Sequence, residues 1–161
     1  MRHITKPLFA TVLAVILVAL TVGPESSLRG QTGKVNPTLE PIAETKLTMV
    51  GVAQSNFRGL EKLLKSEPKN VQTWSFARGQ AILIAESANL MMLRPPKGQG
   101  QDLWFQQAMN LRSEATELAR AAASRDYAGT RKRLVQVANT CNKCHRSFGE
   151  KTEIVPFGPG V

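Results

Sequence analysis

The stretch that organises this chain is Cys141-Asn142-Lys143-Cys144-His145, which contains both cysteines of the protein and one of its two histidines. Its spacing, Cys-x-x-Cys-His, is the attachment motif of a c-type haem. Cysteines three residues apart on a helix lie on one face, so both thiols can add to the two vinyl groups of the porphyrin. His145 follows at once and can reach the iron as the proximal ligand. The two residues between the cysteines have no part in this chemistry.

Three other uses of a Cys-x-x-Cys pair fit the sequence less well. A disulfide would close a very short loop and would stabilise the fold little. A thioredoxin-like redox pair belongs with a βαβ pattern, and the chain has no such pattern. A structural zinc site needs four ligands, whereas the motif has two cysteines and one histidine and no second cluster. The sequence therefore predicts one covalently attached haem c, held by Cys141, Cys144 and His145.

Length and composition favour a small helical domain with a basic surface. The chain has 161 residues, of which 6% are aromatic and 42% hydrophobic, which fits one domain with a modest core and a targeting segment. Its formal net charge is +9. A basic balance suits nucleic acid, anionic membranes or acidic proteins, or a merely solvated surface. We find no nucleic-acid motif and predict no nucleic-acid partner.

The N-terminal residues are typical of export. Residues 1–23 carry Arg2 and Lys6 ahead of the uncharged, mostly apolar run 8–22, which suits a signal peptide and is short for a membrane span. No clear cleavage site follows, so an uncleaved anchor that tethers the protein through residues 8–22 stays open as an alternative. Residues 24–37 have the composition of a linker. We therefore expect an exported, periplasmic protein.

Helical spacing of apolar residues divides residues 38–150 into four helices, followed by an irregular tail at 151–161. The predicted bounds are Thr38 (with Pro41 in the first turn) to about Ser66, Asn70 to before Pro95, Asp102 to Ser124, and Asp126 onward through the motif. The predicted inward stripe of the first helix is Leu47, Val50, Phe57, Leu60 and Leu64, widened by Met49, Val52 and Ala53. Short loops between amphipathic helices predict an all-α, antiparallel up-down-up-down four-helix bundle, with the haem near the C-terminal end of the last helix.

This topology also predicts the surroundings of the haem. The end of the last helix shares one end of the bundle with the start of the first helix, the end of the second and the start of the third. The predicted pocket residues are Met49, Val52, Ala53, Ala88, Met91, Met92, Trp104, Phe105, Ala108 and Phe148.

The segment from about residue 40 to 150 resembles the cytochrome c′/cytochrome c-556 family, the class II c-type cytochromes. The resemblance rests on the helix pattern, on the position of the motif in the last helix, and on Phe148 three residues after His145. It implies a haem-binding four-helix bundle, which in this family often forms a homodimer through its first two helices. The family often has Arg or Lys directly after that aromatic residue, whereas this chain continues with Gly149-Glu150.

The resemblance also bears on the sixth iron ligand. Lys46-Leu47-Thr48-Met49 resembles the stretch of the low-spin c-556 branch in which a first-helix Met binds iron. That reading implies a one-electron carrier, not an enzyme, with His145 and Met49 on the iron and redox partners that carry acidic docking surfaces. Met91, Met92 and Met109 are rival ligands, and Met49 could instead be plain core. The alternative function is a five-coordinate cytochrome c′ that binds NO or CO.

Overall fold

The computed structural model describes residues 38–158 of the chain. The predicted targeting segment, tether and linker, and the last three residues of the tail, lie outside the described residues. Within 38–158 all regular secondary structure is helical, as predicted. Across the same range, no helix combines the length and the apolar character that crossing a bilayer requires.

Six consecutive helical pieces form four helices. The pieces are α1 (Thr45–Thr48), a π-helical segment (Met49–Gln54), α2 (Ser55–Leu63), α3 (Val71–Met92), α4 (Gln101–Ala123) and α5 (Tyr127–Ser147). The first three are continuous, and we call them together the first helix (residues 45–63). The predicted count of four helices is confirmed over the described part of the chain.

Contacts between helix ends establish that the first three helices alternate in direction. Arg94, just after α3, donates from Nε to the carbonyl of Ala43, just before the first helix, at 2.8 Å. The indole N–H of Trp104, at the start of α4, donates to the carbonyl of Met91, near the end of α3, at 2.7 Å. The end of α3 therefore meets the starts of both neighbouring helices.

The last helix closes the bundle in the same sense. Tyr127, the first residue of α5, donates its hydroxyl to the carbonyl of Leu64 at the end of the first helix, at 3.0 Å. At the other end, the rings of Trp104 and Phe148 meet edge to face with their centroids 5.2 Å apart. The up-down-up-down topology is therefore confirmed.

The sequence predicts the starts of α3 and α5 correctly, and those of the other two helices less well. Asn70 and Asp126 are both N-caps whose side chains accept from the backbone three residues on, at 2.8 and 2.9 Å. The prediction that the first helix starts at Thr38 is wrong: it begins at Thr45, since the guanidinium of Arg94 occupies the carbonyl of Ala43. The third helix begins at Gln101, one residue before the predicted Asp102.

The core fills the end of the bundle opposite to the end of α5. Leucines from three helices are fully buried there, and alanines from α3 and α4 let the backbones approach closely. The largest of these apolar side chains are Leu60, Leu64, Ile84, Leu118 and Leu134.

The π-helical segment changes which residues of the first helix face inward. Leu47 and Val50, which the sequence predicted for the inward stripe, are 63% and 51% exposed, so that part of the prediction is wrong. The buried positions are instead Thr48, Ala53 and Phe57. Thr48 and Ala53, five residues apart, are both buried because i→i+5 hydrogen bonding widens one turn of the helix. The wider turn rotates the residues before it relative to those after it.

Candidate haem site

A cavity of ≈ 400 Å³ opens at the end of the bundle where α5 ends. Volumes of this order are usual for sites that enclose a small molecule or cofactor. All four helices and the tail contribute to its wall, which is mostly apolar. Its lining includes Met49, Val50, Ala53, Phe57, Met91, Trp104, Gln107, Ala108, Leu111, Cys141, Cys144, His145, Phe148, Glu150, Thr152 and Ile154.

The three motif residues, predicted to hold haem, all line this cavity from α5. Both cysteines are free thiols and half-buried. Burial raises the pKa of Cys141 to about 12, with a further contribution from the neighbouring Cys144, and burial also raises the pKa of the Cys144 thiol. A thiolate, the form that binds metal ions, is therefore disfavoured here, whereas a neutral thioether is not.

A zinc site, the metal-binding alternative, also lacks ligands. Residues 38–158 contain no group of three or more His, Cys, Asp or Glu side chains placed to hold a metal ion. The thiols therefore suit covalent attachment to a cofactor better than direct ligation of a metal.

The imidazole of His145 is held in one tautomer. Its Nδ1 lies 2.7 Å from the carbonyl oxygen of Thr152. A carbonyl can only accept, so Nδ1 carries a proton, and in the neutral imidazole this leaves the lone pair on Nε2. A neutral imidazole with a free Nε2 is the form that binds iron. The tail of the chain thus presents His145 as a ligand.

Met49, the candidate distal ligand, lines the cavity from the first helix. The lining positions Met49, Ala53 and Phe57 recur every fourth residue along that helix. Residues four apart in an α-helix drift steadily around its axis, whereas the wider π turn counteracts the drift. The π-helical segment therefore keeps Met49 on the cavity side.

The helix-end contacts also give the register of the ligands along the bundle. Trp104 meets Phe148, so the residues three further in on each helix, Gln107 and His145, lie at about one level.

Ala43 meets Arg94, so the residues six further in, Met49 and Ala88, lie at about one level. The carbonyl of Met91 accepts from Trp104, so these two residues lie at one level. Ala88 and Gln107 are each three residues further into the bundle and therefore also lie at one level. Met49 and His145 therefore line one cavity at about the same height, from two different helices.

The other predicted pocket residues divide into two groups. Those that line the cavity are Ala53, Met91, Trp104, Ala108 and Phe148. Those absent from its lining are Val52, Ala88, Met92 and Phe105. Among the rival ligands, Met91 is buried against the cavity, whereas Met109 is 47% exposed and lies outside it.

Sequence reasoning missed Gln107, a polar residue in the cavity wall. Its side chain is 3% exposed, and its Oε1 has no hydrogen-bond partner within residues 38–158. Its position, three after Trp104 and four before Leu111, places it on the same helix face as both, and this spacing could have identified it. A buried amide without a partner is rare, and it suits a wall that meets a polar group of a bound molecule.

The cavity fits haem on each of these observations. It offers an apolar wall for the porphyrin, two neutral thiols one turn apart, and an imidazole whose Nε2 is free. Lys46 lines the cavity from the first helix, and Lys143 and Arg146 are exposed near the end of α5.

Comparison with known proteins agrees with the site. The family model described as Cytochrome C' matches residues 99–149, which comprise α4, α5 and the turn between them. No curated protein matches the chain, and no solved structure matches it. The matched family consists of c-type cytochromes, typically exported, whose cofactor is haem c. The match, the four-helix fold and the Cys-x-x-Cys-His motif on the cavity wall together show that the chain is similar to the cytochrome c′ family over α4 and α5.

Proposed function

We propose that this protein is a one-electron carrier, with one covalent haem whose iron is bound by His145 and Met49. The observation that supports the proposal most is that these two residues line one cavity, at about one level, from α5 and the first helix. When bound, haem supplies the one-electron couple. The thioether of Met49 would be the second protein ligand of the iron, and it would raise the reduction potential relative to a second imidazole.

The protein's own residues would serve this function by fixing the ligands. The thiols of Cys141 and Cys144 would anchor the porphyrin edge to α5, and the carbonyl of Thr152 orients the imidazole of His145. Apolar side chains such as Phe57 and Leu111 exclude water from the cavity, which limits the reorganisation that accompanies a change of charge. We propose no enzymatic activity for this site.

We also propose that redox partners dock with acidic surfaces near the motif. Lys143, Arg146 and Lys151 are exposed around the end of α5, and Lys46 is exposed on the first helix. Glu150 and Glu153 lie among them, so the surface is not uniformly positive. A net positive surface steers an acidic partner and accelerates its association, an effect that salt weakens.

The test is the optical spectrum of the purified haem protein, oxidised and then reduced, with CO added last. We expect a low-spin spectrum with a Met-to-iron charge-transfer band and no response to CO. Met49→Leu should convert this protein into a high-spin one that binds CO, because leucine offers no lone pair. Met109→Leu is the matched control, since Met109 lies outside the cavity lining. Met91→Leu tests the rival ligand.

A second function competes, and the same experiment decides it. Val50 and Ala53 flank Met49 on the cavity wall, so an iron without Met49 would face a small apolar space suited to NO or CO. A wild-type spectrum that is high-spin and shifts with CO would overturn the electron-carrier proposal in favour of a gas-binding protein.

A further inference from the structure

The residues after α5 fold back along the bundle and do not simply trail away from it. Residues 150–157, here called the strap, contain no helix, yet Ile154 and Phe157 are partly buried against the hydrophobic core. Glu150, Thr152 and Ile154 also line the haem cavity. The strap is therefore part of the site, and its attachments to the bundle decide what it can do there.

The chain enters the strap through a sharp reversal at the end of α5. Gly149 has φ +72°, in the left-handed region that glycine adopts without strain. The N–H of Glu150 bonds the carbonyl of His145 at 2.9 Å, and the N–H of Gly149 bonds that of Arg146 at 3.4 Å. This pair of bonds is a Schellman motif. The sequence Gly149-Glu150, where the family often has a basic residue, thus turns the chain back toward the cavity.

Asn142, inside the Cys-x-x-Cys-His motif, makes the first attachment. Its side chain is 8% exposed, donates to the carbonyl of Ile154 at 2.9 Å, and accepts from the N–H of the same residue at 2.8 Å. Both polar groups of one strap residue are therefore satisfied by one amide. From the sequence, Asn142 has no role in haem attachment, whereas in the structure it holds Ile154 of the strap.

Glu61 and Arg131 make the second attachment, at the far end of the strap. The Glu61 carboxylate is fully buried, and it accepts from the N–H of Phe157 and from the guanidinium of Arg58. The guanidinium of Arg131 lies 3.7 Å from the centre of the Phe157 ring. Phe157 has φ +57°, which an aromatic residue rarely adopts unless its surroundings hold it there.

Between these attachments, the strap meets His145. The carbonyl of Thr152 accepts from Nδ1 of the imidazole at 2.7 Å. Glu150 holds Thr152 in place, because one of its oxygens accepts from both the N–H and the hydroxyl of Thr152, at 3.0 and 2.8 Å. The position of the Thr152 carbonyl is thus set from both sides, by Glu150 and by Asn142 through Ile154.

We propose that the strap positions the proximal haem ligand, with the Thr152 carbonyl fixing the tautomer and the orientation of His145 and with Asn142 clamping the strap in place. When the nitrogen that does not bind iron, here Nδ1, donates a hydrogen bond, the imidazole becomes a stronger ligand and the reduction potential of the haem falls. Thr152 and Asn142 are positioning residues, since neither touches the iron. The inference rests on the proposal that His145 binds the haem iron, and it does not depend on whether Met49 also binds it.

The test is the solvent exchange of the His145 ring N–H in the reduced haem protein, followed by NMR after labelling with ¹⁵N-histidine. The chain has only two histidines, so the signal of His145 is easily assigned. In Asn142→Ala this proton should exchange about tenfold faster. The loss of one hydrogen bond of ordinary net strength should raise the population of strap conformations that are detached from His145 by about that factor. The midpoint potential of this variant should also rise.

Two controls keep the proposal open to refutation. Asn139→Ala makes the same change on an exposed turn of α5 and should leave exchange and potential unchanged. A chain that ends at Glu150 lacks the rest of the strap, including Thr152, and keeps the motif intact, so its His145 ring proton should also exchange quickly. A chain that ends at Gly158 should match the wild type. Wild-type exchange in both Asn142→Ala and the chain that ends at Glu150 would overturn the proposal. Absence of haem in the wild type would instead refute the proposed function.

Discussion

The two helices that face each other across the cavity are built in different ways. In α5, three chemical groups are adjacent in sequence, and ordinary helical geometry brings them to one wall. In the first helix, a single candidate ligand, Met49, lines the cavity from the start of a π-helical segment that runs from Met49 to Gln54. The ligands on α5 depend on local sequence, whereas the placement of Met49 depends on the phase of a whole helix.

This difference explains how far the sequence predicts each wall. The motif and the N-cap Asp126 are both local signals. The predicted start of α5 at Asp126 is confirmed, and the three motif residues line the cavity. The spacing of Leu47, Val50 and Phe57 imitates an ordinary α-helical stripe, so the sequence gives no sign that the helix changes phase. The change of phase becomes visible only in the structure, where Leu47 and Val50 point to solvent and not into the core.

The strap was beyond sequence reasoning for another reason. Its contacts join residues far apart in the chain, such as Glu61 and Phe157, and no spacing rule connects such pairs. The sequence predicted an irregular tail at 151–161, and the described part of that tail, residues 151–158, contains no helix or strand. Composition cannot tell an irregular segment that packs from one that does not.

The largest expected effect comes from the cavity wall that α5 forms. Replacing both Cys141 and Cys144 with serine should abolish covalent haem, because a hydroxyl does not form the thioether bond. Haem staining after denaturing electrophoresis measures the loss. Each single substitution is the control, since one remaining thioether should retain haem and shift the pyridine haemochrome band. Stained protein from the double variant would contradict covalent attachment at this motif.

The next test breaks the phase of the first helix and leaves α5 untouched. Inserting one alanine after Gly51, inside the π-helical segment, should rotate Met49 by about 100° relative to the residues after the insertion, because this segment already holds one residue more than an α-helical turn. We expect loss of the low-spin spectrum while covalent haem is retained. Gly51→Ala is the matched control: it keeps the chain length, and the added methyl group meets no atom within 4 Å. An insertion variant with the wild-type spectrum would show that the position of Met49 on the first helix does not determine the spectrum.

A smaller effect is expected where the first helix meets the strap. Glu61→Leu removes the buried acceptor of the Phe157 N–H and the partner of Arg58. Leaving such groups unsatisfied should lower the free energy of unfolding by about 1–3 kcal/mol, measured by urea titration. Glu67→Leu, at an exposed position after the same helix, should change it little. Equal stability of the two variants would mean that the buried carboxylate contributes nothing to the fold.

The smallest effect compares one glycine from each helix. Alanine is favoured over glycine in a helix by about 1 kcal/mol, so Gly51→Ala should raise the free energy of unfolding by up to that amount. At Gly129, in α5, the added methyl group would lie 2.0 Å from an oxygen of Asp126. That carboxylate is the N-cap, and displacing it costs about 1 kcal/mol, which offsets the gain. Urea titration should therefore find Gly51→Ala more stable than the wild type and Gly129→Ala no more stable. The reverse order would mean that the π-helical backbone at Gly51 needs glycine, and that the phase of the first helix is set there by its backbone.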